Sequence, residues 1–270
     1  MVLAGAPTLA RTTGSRWQGA CSAGGMLTPP ILGQDTVGRA PAAPRLLEEH
    51  LAIRCPGAMT EERCAAHVAA VLGARASWTR NFDGRQFTLG RAYYTHLEED
   101  REDEYFAGAA ASDAQVRRIT PGLQEHLLAA ASALVGAPVR QRVGWCGPGV
   151  HVFPAGGEVA RRGGEVHFDT EGLRPPQLER RVPAVTLVLM LQRPEIGGGL
   201  RVWGSTYEGD DFPRKPDPRV EVTQIAYELG ELVVIDSYRL HQILPFRGSV
   251  DRITATMHAC LDGGAWEAWF

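Results

Sequence analysis

His167 and Asp169 stand two residues apart in the run Glu165-Val166-His167-Phe168-Asp169, and a second histidine, His241, follows the apolar run Leu232-Val233-Val234-Ile235. Side chains two apart on a β-strand leave the same face, so His167 and Asp169 can converge on one point. Two imidazoles and one carboxylate on one side of a metal leave its opposite positions open. That donor set suits a non-heme Fe(II) centre that must still take up other ligands. Arg252 follows His241 at the start of another β-like run, and Thr254 shares its face. A guanidinium is a rigid fork for a carboxylate, and a neighbouring hydroxyl adds a donor.

These residues need a scaffold, and the chain supplies two textures for it. After Pro138, short β-like runs alternate with Gly and Pro: Val139–Trp145, Val150–Phe153, Glu165–Asp169, Ala184–Leu191, Leu200–Trp203, Val220–Ala226, Glu231–Ile235 and Arg252–Leu261. Short strands separated by turn residues predict a sandwich or barrel. Before Pro138 the signals are helical. Thr60 caps a helix whose first turn carries Glu61 and Glu62 and whose apolar stripe runs Cys64, Val68, Val71, Leu72. Thr120-Pro121 opens a second, with Leu123, Leu127, Leu128, Leu134 and Val135 buried and Gly136 beyond. The stretch from Trp78 to Tyr105, rich in aromatics and charge, matches neither period. Helices first and strands afterwards predict an α+β fold with the helices on one face of the β core.

Composition excludes several classes. The chain has 270 residues, 44% hydrophobic and 22% charged, with a formal net charge of -3. That balance gives no electrostatic footprint for nucleic acid or an anionic membrane. The longest apolar run, from Ala184 to Leu191, is far short of the ~20 residues a membrane helix needs. Cys21, Cys55, Cys64, Cys146 and Cys260 are odd in number and lack a Cys-x-x-Cys pair, so reduced thiols in a cytoplasmic protein are expected. Residues 1–44, rich in Ala, Gly, Pro, Thr and Arg, show no sustained periodicity. They are expected to be a disordered N-terminal segment before a single domain over 45–270, so that a chain begun near Pro44 would fold.

In its order of parts, His167-x-Asp169, Gly197-Gly198-Gly199-Leu200, Leu229-Gly230-Glu231-Leu232, His241 and Arg252-x-Thr254, the chain resembles the Fe(II)/2-oxoglutarate-dependent oxygenase superfamily. The likeness spans about residues 139–261. It implies a double-stranded β-helix (jelly-roll) core. It further implies Fe(II) on His167, Asp169 and His241, and 2-oxoglutarate held at its far carboxylate by Arg252 and Thr254. O2 would be the oxidant for hydroxylation of an unactivated C–H. Gly90-Arg91-Ala92-Tyr93-Tyr94, Gly198-Gly199-Leu200-Arg201-Val202-Trp203 and the C-terminal tryptophans make the chain similar to small bacterial enzymes that hydroxylate or halogenate free amino acids in specialised metabolism. Halogenases of that kind replace the carboxylate ligand by a small residue; Asp169 is retained, which favours hydroxylation.

Substrate contacts are expected from the inward faces. Counting in twos from Arg252 gives Thr254, Thr256 and His258, and His151 lies on the strand before the metal motif. Arg91 is the candidate for a substrate carboxylate, and Trp266 or Trp269 for closing the pocket. His50, His67 and His126 fall in helical segments and are expected at the surface. Three other readings compete: a non-catalytic binding protein, a cupin, and a prolyl-hydroxylase-like enzyme acting on a peptide or protein. The first would lose the ligands kept here, and the second wants His-x-His where this chain has His-x-Asp.

Overall fold

The computed structural model describes residues 29–33, 42–210, 216 and 218–270. The helical part consists of α1 (Ala43–Glu49), α2 (Glu61–Gly73), α3 (Tyr93–Glu98), α4 (Glu102–Ile119) and α5 (Leu123–Val135). Short helices α6 (Glu158–Arg162) and α7 (Pro175–Arg180) follow within the β part. Three strands interleave with the first helices: β1 (Ile53–Cys55), β2 (Thr79–Asn81) and β3 (Gln86–Leu89). The rest are β4 (Val139–Gln141), β5 (Gly149–Phe153), β6 (Ala184–Gln192), β7 (Ile196–Gly197), β8 (Leu200–Thr206), β9 (Val222–Ile225), β10 (Leu232–Asp236), β11 (Arg239–Ile243), β12 (Phe246–Arg247), β13 (Arg252–Asp262) and β14 (Ala265–Trp269). The mixed helix-and-sheet class expected from the sequence is therefore present.

One large sheet runs β1-β10-β6-β13-β5-β3-β2, with β14 and β4 continuing from β13. A smaller sheet runs β11-β8-β9, and β12 pairs with β7. Strand parity sorts the side chains of the large sheet. Val185, Leu187, Leu189 and Leu191 of β6 join Ile253, Ala255, Met257 and Ala259 of β13, and Val150 and Val152 of β5, in one apolar cluster. Helix α2 adds Cys64, Val68 and Val71 to that cluster, and α5 adds Leu123, Leu127, Ala131 and Leu134. On the other face, Met190, Val233 and Ile235 pack against Leu200, Val202 and Ile225 of the smaller sheet. The helices thus cover one face, and the second sheet closes over the other and leaves a cavity between.

Several expectations are refined. The Thr60 cap forms, its hydroxyl accepting the Arg63 amide at 3.4 Å. Thr120 instead ends α4, donating its hydroxyl to the Val116 carbonyl, and α5 starts after Gly122. His67, expected at the surface, is buried on α2. Glu165–Asp169 forms no full strand, only a bridge between His167 and His241. The segment unassigned between Trp78 and Tyr105 holds β2, β3 and α3. Part of the N-terminal stretch expected to be disordered is packed. The Leu32 amide donates to the Arg54 carbonyl at 2.8 Å, the Arg54 amide to Pro30 at 2.9 Å, and Leu32 and Ala43 are buried. Local composition misses this because a single buried leucine beside β1 has no periodicity. The remainder of that stretch, residues 1–28 and 34–41, lies outside the described residues. Cys55, Cys64, Cys146 and Cys260 are buried free thiols, and Cys21 lies outside the described residues. No helix among the described residues is long and apolar enough to cross a membrane.

Candidate metal and cosubstrate site

His167, Asp169 and His241 meet in the cavity, one ligand atom from each lying within 4.8 Å of the others. The extended segment carrying His167 is clamped to β11 by reciprocal bonds: the His167 amide donates to the His241 carbonyl at 3.1 Å and the His241 amide to His167 at 2.9 Å. The Asp169 amide donates to Ser237, just past β10, at 2.9 Å. Backbone pairing, not side-chain contact, therefore brings two ligands distant in sequence together. Each ring is oriented by its own chain. Nδ1 of His167 meets the Glu165 carbonyl and Nδ1 of His241 the Arg239 carbonyl, both at 2.9 Å. With Nδ1–H donating there, Nε2 of each ring carries the free lone pair, as a metal ligand requires. Those Nε2 atoms lie 3.4 and 3.2 Å from the two Asp169 oxygens.

Electrostatics agree with that donor set. Burial alone would raise the Asp169 carboxyl, but His241, His258 and His167 around it hold it well below the usual carboxylate range. Burial pulls His167 down, yet its bond to Asp169 outweighs this and lifts the imidazole to about 9. A divalent cation placed among the three would displace those protons and satisfy the carboxylate. The donor set and the free Nε2 atoms fit a 2-His-1-carboxylate iron site.

Arg252 opens β13 and is 1% exposed. Its Nε donates to the Gly198 carbonyl at 2.9 Å, and its guanidinium lies 5.5 Å from the ring centres of both Phe153 and Tyr227. Among the described residues no carboxylate pairs with it, and burial draws its pKa down. A cation in that state lacks an anion. Thr254, two residues on along the same face, is also buried and lines the same cavity. The carboxylate of 2-oxoglutarate fits the partner this pair lacks.

The cavity has a volume of about 190 Å³ and is lined by the triad, Arg252, Thr254, His151, Thr256 and His258. His258 is tied by Nδ1 to Thr186 at 3.0 Å and stands 3.9 Å from Asp169, beside the metal position. His151 comes inward from β5 with its ring 4.8 Å from Phe270, and burial pushes it down to about 3, so it is neutral. Two candidates are elsewhere. Arg91 donates to the Glu104 carbonyl at 2.7 Å and lies over Gly108 of α4, away from the cavity. Its backbone leaves β3 toward the helices, so a short glycine on α4 receives the guanidinium. Trp266 points to the helix-covered face, in the main apolar cluster, because its parity on β14 is opposite to an inward residue. Trp269 lies 5.8 Å from His258 and holds Arg142 over its face at 4.1 Å, again outside the cavity lining. Missed by the sequence reading were Phe82, Arg85, Gln86, Tyr94, Glu98 and Tyr227, which all line the cavity. Three of them, Phe82, Arg85 and Tyr227, come from loop or irregular backbone, where no period announces a face; Gln86, Tyr94 and Glu98 lie on two short elements inside the unassigned segment.

No protein-family model matches the chain, and no curated protein matches it. Solved structures do. The epimerase SnoN in complex with Fe3+, α-ketoglutarate (2-oxoglutarate) and nogalamycin RO is 14% identical, with a TM-score of 0.54 over 84% of this chain and 86% of that one. An N-substituted L-amino acid dioxygenase from Burkholderia ambifaria AMMD is 15% identical, with a TM-score of 0.51 over 84% and 90%. A 2OG-Fe(II) oxygenase-family oxidoreductase from Burkholderia pseudomallei is 12% identical, with a TM-score of 0.50 over 88% and 98%. The chain has the fold of the non-heme 2-oxoglutarate-dependent oxygenases. Neighbours of that fold were crystallised with iron and with α-ketoglutarate, and this chain carries a His-Asp-His triad in its cavity.

Proposed function

We propose that this protein is an Fe(II)- and 2-oxoglutarate-dependent oxygenase with a double-stranded β-helix core, hydroxylating an unactivated C–H of a small molecule. The observation that carries this reading is the buried, acid-free Arg252 in the same cavity as the converged triad. His167, Asp169 and His241 would hold the metal, and Arg252 with Thr254 would hold the far carboxylate of 2-oxoglutarate. Bound iron with that cosubstrate and O2 supplies the oxidising chemistry. The chain fixes the ligands through the Glu165 and Arg239 carbonyls, holds His258 beside Asp169, and walls the site with Val188, Leu200, Ile235 and Ile243 against water.

Hydroxylation is proposed because Asp169 occupies the place that halide needs in a halogenase. The epimerase among the neighbours, and the carbocyclase SnoK, share the fold with other outcomes. Small-molecule substrates in the names of those neighbours support a small molecule here, and the amino acid dioxygenase supports an amino acid or derivative. The deciding experiment is an anaerobic titration with Fe(II) and 2-oxoglutarate, followed by O2. A metal-to-ligand absorption band and release of succinate are expected. A protein that binds neither, or that turns over equally well without iron, would remove the reading. Product mass then separates gain of one oxygen from loss of two hydrogens or no change.

A further inference from the structure

The mouth of the cavity is built unlike its floor. Among the described residues lining it, the cations are Arg252 and Arg85. Arg252 faces the cosubstrate position. Arg85 is already paired, with Glu158 at 3.1 Å and Glu165 at 4.0 Å. A substrate carboxylate therefore meets no unpaired cation. Acids are in excess: Glu98, Glu165 and Glu171 line the same cavity. Glu98 makes no ion pair with any described residue. It stands four residues after Tyr94 on α3, so the two share one helix face. The Phe82 ring lies 6.2 Å from that of Tyr94, inclined by 37°.

Phe82 is presented deliberately. It and Asp83 both hold left-handed backbone, with φ of 49° and 54°, a conformation bulky side chains rarely adopt. The Glu99 carboxylate accepts the Phe82 amide at 2.8 Å, and Arg80 donates to the Asp83 carbonyl at 2.7 Å, so the loop is held from both sides. Deeper in, His151 is only 6% exposed, and its Nδ1 is buried with no hydrogen-bond partner. With Nδ1 sealed, Nε2 is the ring nitrogen left to meet a ligand atom. The ring is neutral and repels no cation.

We propose that the substrate carries an ammonium group, received at the mouth by the Glu98 carboxylate and the faces of Phe82 and Tyr94, while His151 meets a polar atom deeper in the same molecule. A cation gains from an acid and from aromatic faces at once. This inference rests on the oxygenase reading and deepens it: the cavity selects for an amine and against a carboxylate at that end.

The test uses the full chain loaded with Mn(II) and 2-oxoglutarate, and three probes of one shape: n-butylammonium, n-butanol and butyrate. Paramagnetic relaxation of probe protons by the bound Mn(II) reports occupancy of the cavity without turnover. Butylammonium should be enhanced most and butyrate least, by about threefold or more between them. Glu98→Gln should bring butylammonium down to the level of butanol while Mn(II) binding is unchanged. Equal enhancement of the three, or butyrate leading, with Mn(II) bound would overturn this inference alone. Wild-type protein that binds no Mn(II), giving the same relaxation as a His167→Ala control, would overturn the oxygenase reading and this inference with it.

Discussion

Arg252 shows how one residue constrains function. Its guanidinium lies against Tyr227 and Phe153, its Nε donates to the Gly198 carbonyl, and among the described residues no carboxylate pairs with it, which is what the proposed anchoring of 2-oxoglutarate requires. Arg252→Ala should raise the 2-oxoglutarate KM by about tenfold or more, since hydrogen bonds to a charged group contribute roughly 1.5–3 kcal/mol. Arg252→Lys should recover part of the loss, because an ammonium binds as a point charge rather than a fork. Steady-state succinate release measures both, and an unchanged KM in the alanine variant would mean another group anchors the cosubstrate. The metal ligands give a second test at this scale. His167→Ala, Asp169→Ala and His241→Ala should each abolish iron-dependent turnover with the fold intact by circular dichroism. Full activity in any of the three would remove it from the centre.

At the scale of the element, alternation along β13 and β6 decides what a substitution does. Met257 and Leu187 face the helices in the main cluster, whereas Thr256 and Thr186 face the cavity. Leu187→Ala should therefore destabilise the protein by roughly 2–5 kcal/mol, read from the urea midpoint. Thr256→Ala, one strand position from Met257, should leave that midpoint nearly unchanged and alter substrate-coupled turnover instead. Equal destabilisation by the two would mean the parity is misread. Turn chemistry is as strict. Gly230 has a φ of 71°, and a Cβ there would lie 2.0 Å from the Met59 carbonyl oxygen. Gly230→Ala should displace the loop before α2 from the start of β10 and lower stability by about 1–3 kcal/mol. The sequence pointed to this glycine as a turn feeding a strand; the contact with Met59 that makes it obligatory is a matter of packing.

Across the whole molecule, buried imidazoles set the acid response. Burial pushes His67, His96, His126, His151 and His258 below their ordinary value of 6.5. The unfolded chain takes up these protons near 6.5 and the folded chain only at lower pH, so acidification favours unfolding. His167, lifted to about 9, opposes this: its contribution is complete below 6.5 and fades as pH rises through 9. Asp169, held low, loses its contribution only beneath its unfolded value of 3.8. Glu98 and Asp236, whose carboxyls burial raises, also favour the folded chain on acidification, but the five histidines outnumber them, and the urea midpoint of the metal-free protein should fall from pH 6.5 to pH 5. A flat midpoint over that interval would contradict the burial of these rings. The N-terminal side offers a second whole-chain measurement. A chain begun at Pro29 keeps the pairing of Leu32 with Arg54, whereas one begun at Pro44 loses it and should be less stable by roughly 1.5–3 kcal/mol, the burial of one leucine.

What the sequence determined by itself was local: which residue types were present and which side of a strand each would take. Alternation follows from backbone pleating, so Thr254, Thr256 and His258 could be counted inward from Arg252, and His167 with Asp169 set on one face, before any packing was known. Helix caps such as Thr60 were legible for the same reason. Tertiary structure decided which of the inward residues share one cavity. His241 joins His167 only because two distant segments exchange backbone hydrogen bonds, and Arg91 is withdrawn because the Glu104 carbonyl of α4 accepts its guanidinium where Gly108 leaves room for it. Trp266 is withdrawn because β14 pairs with β13 in the register that turns it to the helices. The mouth built by Phe82, Tyr94 and Glu98 was invisible in sequence because its shape depends on a left-handed loop and a six-residue helix. Contacts with Glu99 and Arg80, not any repeating pattern of the chain, hold the Phe82 loop in place.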